Sequence, residues 1–141
     1  MSPTTTIFLA DDDIDDCVLF EDALSEICAK SKLIIAKNGI ELIHLLESIE
    51  DPIPDVIFLD LNMPKKNGFE CLAEIRENSG WKHIPIVIFS TSCTDDMLQK
   101  VYQCGANFFI KKPGSFPILK QSIEQILTTN WDTHIWKPNT V

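Results

Sequence analysis

The sequence predicts an α/β protein, a three-layer sandwich of five βα units, (βα)5, and three observations carry that reading. Five short apolar runs rich in Ile, Val and Phe recur along the 141 residues. Longer stretches with apolar residues at helical spacing separate and follow them. The runs are continuous rather than alternating, as expected of a parallel sheet covered on both faces.

The first strand is predicted over 7–10 and is followed by a helix whose apolar stripe is Cys17, Phe20, Leu24 and Ile27. A second strand over 33–36 leads into a helix over 39–49 that uses Leu42, Ile43, Leu46 and Ile49. Asp51-Pro52-Ile53-Pro54 then breaks the chain, since proline lacks a backbone donor. The third strand, 56–59, precedes a helix beginning near Gly68 with Phe69, Leu72 and Ile75, which the loop Asn78-Ser79-Gly80 ends. Strand four spans 86–89, and Met97, Leu98, Val101 and Tyr102 mark its helix. Strand five, 108–110, is followed by a last helix bearing Phe116, Leu119, Ile123 and Ile126. Right-handed crossovers leave few topologies, of which the flavodoxin-like strand order 2-1-3-4-5 is a common solution and the one expected for this sequence.

One domain is expected at this length, 1–128, with a tail over 129–141 and no separate output domain. Hydrophobic residues make up 45% and charged residues 23%, which excludes disorder for the bulk of the chain. The longest apolar runs are far shorter than the roughly 20 residues of a membrane span, and Met1-Ser2-Pro3-Thr4-Thr5-Thr6 lacks the features of a secretory signal. A cytoplasmic location is therefore expected. The net charge of −9 repels phosphate backbones and anionic lipid, so neither DNA nor a membrane is expected as a partner. Cys17, Cys28, Cys71, Cys93 and Cys104 show no Cys-x-x-Cys spacing, and most of them read as small core residues in a reducing compartment. His44, His83 and His134 are scattered and read as surface or packing residues.

Polar residues follow four of the strands at their carboxyl ends: Asp11 and Asp12, Asp60, Ser90, and Lys112. That edge is where open α/β sheets bind ligands, and the expected strand order sets these residues side by side. Taken singly, each has a bland reading. Asp11, Asp12, Asp13, Asp15 and Asp16 could equally cap the first helix, and Asp60 could be a turn residue. Taken together, carboxylates that would repel one another imply a divalent cation, and an oxygen-only set fits Mg²⁺. A carboxylate beside Mg²⁺ can attack a phosphoryl group while the metal and a lysine neutralise the transferred oxygens. The Ser90 hydroxyl would bond another of those oxygens.

The motifs Ile7-Phe8-Leu9-Ala10-Asp11-Asp12-Asp13, Asp60-Leu61-Asn62-Met63-Pro64-Lys65-Lys66-Asn67-Gly68, Pro85-Ile86-Val87-Ile88-Phe89-Ser90-Thr91, Cys104-Gly105-Ala106 and Phe109-Ile110-Lys111-Lys112-Pro113 together resemble the receiver domains of two-component response regulators. The resemblance implies Asp60 as phosphoacceptor, Asp11 and Asp12 as the acidic pair holding Mg²⁺, and Asn62 as the donor of a coordinating backbone carbonyl. It implies Ser90 and Lys112 as phosphoryl-contacting residues, a cis Lys112-Pro113 bond, and Phe109 as an aromatic switch that turns inward as Ser90 moves. Asn62 and Ser92 would flank the water that later hydrolyses the acyl phosphate. The implied donor is a histidine kinase or histidine phosphotransfer protein, docking on Ile14, Asp15 and Val18 with the loop Pro113-Gly114-Ser115. The implied response is a shift of the helix-four, strand-five, helix-five surface.

Thr91 stands where small residues are frequent, which narrows access to the phosphoryl site, and Phe109 lacks a phenolic hydroxyl, so any switch must work by packing. The site segment and the tail look similar to stand-alone regulators paired with bacterial phytochrome-type kinases. Trp131 and Trp136 are expected to pack back onto the domain, leaving a monomer or a weak homodimer. The protein is not expected to be an enzyme beyond accepting and losing its own phosphoryl group. Two rivals remain. One is a haloacid-dehalogenase-like phosphatase, although that chemistry wants an acid two residues after the nucleophile, where Asn62 stands. The other is a receiver-like adaptor that is never phosphorylated.

Overall fold

The computed structural model describes residues 5–28, 30–48, 53–91 and 94–129. Strand and helix alternate as β1 (Thr5–Ala10), α1 (Ile14–Ile27), β2 (Ser31–Ala36), α2 (Gly39–Glu47), β3 (Val56–Leu59), α3 (Gly68–Glu77), β4 (Ile86–Ser90), α4 (Asp95–Gln103), β5 (Phe108–Lys111) and α5 (Phe116–Leu127). The pairings are parallel and the order is β2-β1-β3-β4-β5, as the sequence predicts. α1 packs with α5, and α2 with α3. Lys100 of α4 lies over the Phe69 ring of α3, so α4 adjoins that second group.

Side-chain caps set where four of the helices begin. Asp13, Asn38, Asn67 and Thr94 each accept a backbone N–H from three residues on, and Asn67 with Glu70 completes a reciprocal capping box. α5 has no such bond and relies on Pro117 in its first turn. At the end of α4, Gly105 takes φ +100°, with Gly105 N–H donating to Tyr102 O and Ala106 N–H to Val101 O. That pair of bonds closes the helix in a Schellman motif. The Arg76 guanidinium braces this turn, donating to Gly105 O at 2.7 Å, Ile84 O at 2.8 Å and Asn107 Oδ1 at 2.7 Å.

Three expectations need adjustment. α2 stops at Glu47 because Ser48 is extended and its N–H caps back on His44 O; Ile49 and the Asp51-Pro52 break lie outside the described residues. Of the four apolar residues expected to seat α4, only Val101 is buried, and Tyr102 faces solvent. The Lys112-Pro113 bond is trans, the isomer that local energetics favour for X-Pro bonds. The tail residues Trp131, Trp136 and His134, together with Ser92 and Cys93, also lie outside the described residues.

β1, β3 and β4 are buried almost throughout, whereas β2, on the sheet edge, is only partly covered. Beneath the carboxyl rim, Phe20 of α1, Phe58 of β3 and Phe89 of β4 meet edge to face, with ring centroids 4.9 to 6.2 Å apart. Phe20 and Phe58 are fully buried. Truncating Phe20 to alanine removes one side of this cluster and leaves a cavity. Phe20→Ala is expected to cost about 3–5 kcal/mol, read as a lower denaturation midpoint with an unchanged slope in urea.

Candidate functional site

Three residues of the predicted site are the first beyond their strands, and the sheet's own hydrogen bonds hold them there. Asp11 N–H donates to Ala36 O at 3.0 Å, Asp60 N–H to Ala10 O at 2.9 Å, and Lys112 N–H to Ser90 O at 2.9 Å. Backbone pairing thus carries each residue past the strand end before the chain turns away. Their side chains converge on one rim: Lys112 Nζ lies 2.7 Å from Asp11 Oδ2 and 3.2 Å from Asp60 Oδ2. Asp12 completes a group in which one carboxylate oxygen each from Asp11, Asp12 and Asp60 lies within 4.8 Å of the others. Asp11 and Asp60 are buried, and Asp12 is exposed.

A turn between β3 and α3 fixes the orientation of Asp60. Asn62 N–H donates to Asp60 Oδ1 at 3.2 Å. Gly68 N–H returns to Leu61 O, and a Cβ on Gly68 would stand 2.4 Å from Asp60 O, so glycine is required for this close approach. Between them Lys65 has φ 68° and Lys66 N–H donates to Pro64 O at 2.7 Å, a γ-turn. Asn62 itself is exposed beside Asp60.

The charges are unevenly balanced. Asp11 is 1% exposed, and burial pushes its carboxyl from the ordinary 3.8 up to about 6, against the opposing hydrogen bonds of Lys112 and the Asp13 amide. For Lys112, burial works to lower the pKa, but hydrogen bonds to Asp11 and Asp16 and the charges of Asp11 and Asp60 outweigh it and raise the ammonium above its usual range. Its Nζ also sits 5.6 Å from the centre of the Phe89 ring, so the aromatic cluster forms the floor of the site. Cys17, whose Sγ donates to Asp11 O, has its thiol pushed up to about 11 by burial and behaves as core. Cys17, Cys28, Cys71 and Cys104 are free thiols.

Ser90 ends β4 fully buried, and its Oγ has no hydrogen-bond partner among the described residues. A buried hydroxyl without a partner is costly, which makes it a donor waiting for an acceptor. Phe109, on the neighbouring strand β5, is buried. Asp16 is the residue that sequence reasoning passed over as one of several possible helix caps. Asp13 is the cap, accepting from Asp16 N–H at 3.1 Å, and the Asp16 carboxylate reaches Lys112 Nζ at 2.8 Å. The signal was Lys112 itself, whose three ammonium protons call for three acceptors.

A parallel α/β sheet with acids and a lysine gathered at its carboxyl edge defines the doubly wound class of protein, in which that rim is the usual place for a ligand. The model of the response regulator receiver domain matches residues 7–124, and the chain belongs to that family, the receiver domains of two-component signalling. Response regulator Rcp1 of Synechocystis sp. is 33% identical over 129 residues, covering 89% of this chain and 88% of its own length. The phosphorylated cyanobacterial phytochrome response regulator RcpA superposes with a TM-score of 0.81 at 34% identity, over 87% of this chain and 91% of that one. The Mn²⁺-bound form of Rcp1 gives 0.80 at 31% identity, over 94% and 99%.

A carboxyl whose pKa is raised by folding stabilises the fold only while protonated. The penalty for ionising Asp11 is absent below about pH 4, grows as pH rises towards 6, and is constant above that. Asp11→Asn removes it, so without divalent cation the variant is expected to melt several degrees above wild type at pH 7. That gain should fade as the pH is lowered through 6 to 4, as differential scanning calorimetry would show.

Proposed function

We infer that the chain is a response regulator that accepts a phosphoryl group onto Asp60 and signals by a change of surface around α4, β5 and α5. The observation that carries this is the placement of the buried Asp60 carboxylate, 3.2 Å from Lys112 Nζ and within the same group as Asp11 and Asp12. Asp11, Asp12 and Asp60, with the Asn62 backbone carbonyl, would hold Mg²⁺, and their crowded, partly buried oxygens suit a hard cation that retains several waters. Mg²⁺ supplies charge neutralisation for the oxygens of the transferred group.

The donor is a phosphohistidine of a histidine kinase or histidine phosphotransfer protein. An Asp60 carboxylate oxygen attacks phosphorus, the P–N bond breaks, and its electron pair leaves with the imidazole nitrogen. Lys112 neutralises one phosphoryl oxygen, and the unpartnered Ser90 hydroxyl donates to another. Movement of Ser90 towards that oxygen alters the packing beside Phe109, so the added charge is read out at the α4–β5–α5 surface. Water later hydrolyses the acyl phosphate beside Asn62. The donor's docking surface is the exposed Ile14 and Val18 of α1, which line a groove with Asp11 and Asp12, together with Asp15 and the 113–115 loop. We place the receiver unit at 1–128, followed by the tail 129–141, and assign the protein to the cytoplasm, as a monomer or weak homodimer.

The test is intact mass after incubation with Mg²⁺ and acetyl phosphate. Wild type is expected to gain one labile phosphoryl group and Asp60→Asn none. Rapid hydrolysis of phosphomonoesters would support the phosphatase instead, and the absence of an adduct with any donor would support the adaptor.

A further inference from the structure

The Lys112 ammonium has three protons and three carboxylate partners, Asp11 at 2.7 Å, Asp16 at 2.8 Å and Asp60 at 3.2 Å. Two of these also belong to the group that would hold a cation; Asp16 does not. The oxygens of Asp11 are already committed: Oδ1 accepts the Asp13 N–H at 2.9 Å, and Oδ2 takes the ammonium. A divalent cation drawn to Asp11 therefore competes with Lys112 for the same carboxylate, and the two positive charges repel at that distance. With Asp11 and Asp60 as its sole anchors, the ammonium would be driven off as the cation arrived. Lys112 would then be absent from Asp60 when the phosphoryl oxygens need it.

We propose that Asp16 is a positioning residue that retains the Lys112 ammonium beside Asp60 when a divalent cation takes Asp11. The contact is built for this. Asp16 sits in the first turn of α1, with its backbone N–H held by the Asp13 cap. Lys112 is 8% exposed at its side chain, whereas Asp16 is 30% exposed, so Asp16 can follow a small movement of the ammonium without leaving a buried charge. Two long-range partners thus divide the work: Asp11 holds the ammonium before cation binding, and Asp16 holds it afterwards. The rate consequence rests on the reading of Asp60 as phosphoacceptor, while the position of Lys112 does not.

The experiment follows the Lys112 ammonium directly by NMR in the full chain labelled with ¹³C,¹⁵N-lysine, its signal assigned through Lys112→Arg, with MgCl₂ as the probe. In wild type the slowly exchanging ammonium signal is expected to persist at saturating Mg²⁺. In Asp16→Asn it is expected to be present without Mg²⁺, when Asp11 and Asp60 still hold it, and to be lost to solvent exchange once Mg²⁺ is added. Asp16→Glu should restore it. At saturating Mg²⁺, phosphorylation by acetyl phosphate should be slower in Asp16→Asn by roughly 3- to 10-fold and near wild type in Asp16→Glu. The proposal is overturned by an Asp16→Asn signal that survives Mg²⁺, by a wild-type signal that does not, or by an Asp16→Asn rate equal to wild type. If wild type takes no phosphoryl group at all, the functional reading falls, and the Mg²⁺ response of the ammonium still decides the role of Asp16.

Discussion

Like charges at one rim, balanced by a single buried ammonium, are the constraint around which the molecule is arranged. The rim exists because the sheet is parallel: each strand ends on the same edge, and ladder hydrogen bonds fix the residue that follows. Asp11 and Asp60 have no freedom to retreat, since their amides are tied to Ala36 and Ala10. Their repulsion is a standing cost, and Lys112 offsets part of it. The packed floor of Phe20, Phe58 and Phe89 stabilises the fold by burying apolar surface. That same closeness to water-free core pushes the Asp11 carboxyl upward. Stability and charge storage draw on the same atoms, as is common where a site is prepared for a cation and an anion that arrive from outside.

The strands were legible because doubly covered strands are continuous apolar runs, and each predicted run lies within an observed strand. The site was legible for a related reason. Once the strand order is known, a polar residue straight after an apolar run has a known place on the rim; Asp11 and Asp60 meet there, and Lys112, one residue further on because β5 runs through Lys111, joins them. Asp16 was not legible, because its place depends on how α1 is rotated about its axis. The run Asp11-Asp12-Asp13-Ile14-Asp15-Asp16 offers several possible caps, and each choice would turn the helix differently. The structure chooses Asp13, and only then does Asp16 face the lysine.

Burial of α4 was misjudged for a different cause. Apolar spacing says which face of a helix can be buried, not how deeply a neighbouring surface covers it. In α4 Val101 alone is driven fully into the core, while Met97 and Leu98 are half covered. The isomer at Lys112-Pro113 belongs to the same class of problem. It is decided by a few tenths to one kcal/mol of local preference against whatever the surrounding loop demands, and residue identity does not reveal that demand.

The thin anchoring of α4 gives the proposed signal a physical direction. In the proposed function an added phosphoryl group would act first on Ser90, whose hydroxyl has no partner among the described residues, and Ser90 ends the strand that leads towards α4. Elements with little buried apolar surface open or shift at low cost, whereas those set deep in the core do not. α1, α3 and α4 are all capped at their starts, by Asp13, Asn67 and Thr94, but α1 and α3 each bury several residues. α4 has one buried residue, a glycine-closed end braced by Arg76, and a cation–π contact from Lys100 to Phe69. A charge added at the rim would therefore move α4 before it disturbed the rest, with the Arg76 brace holding the far end of the helix as the pivot.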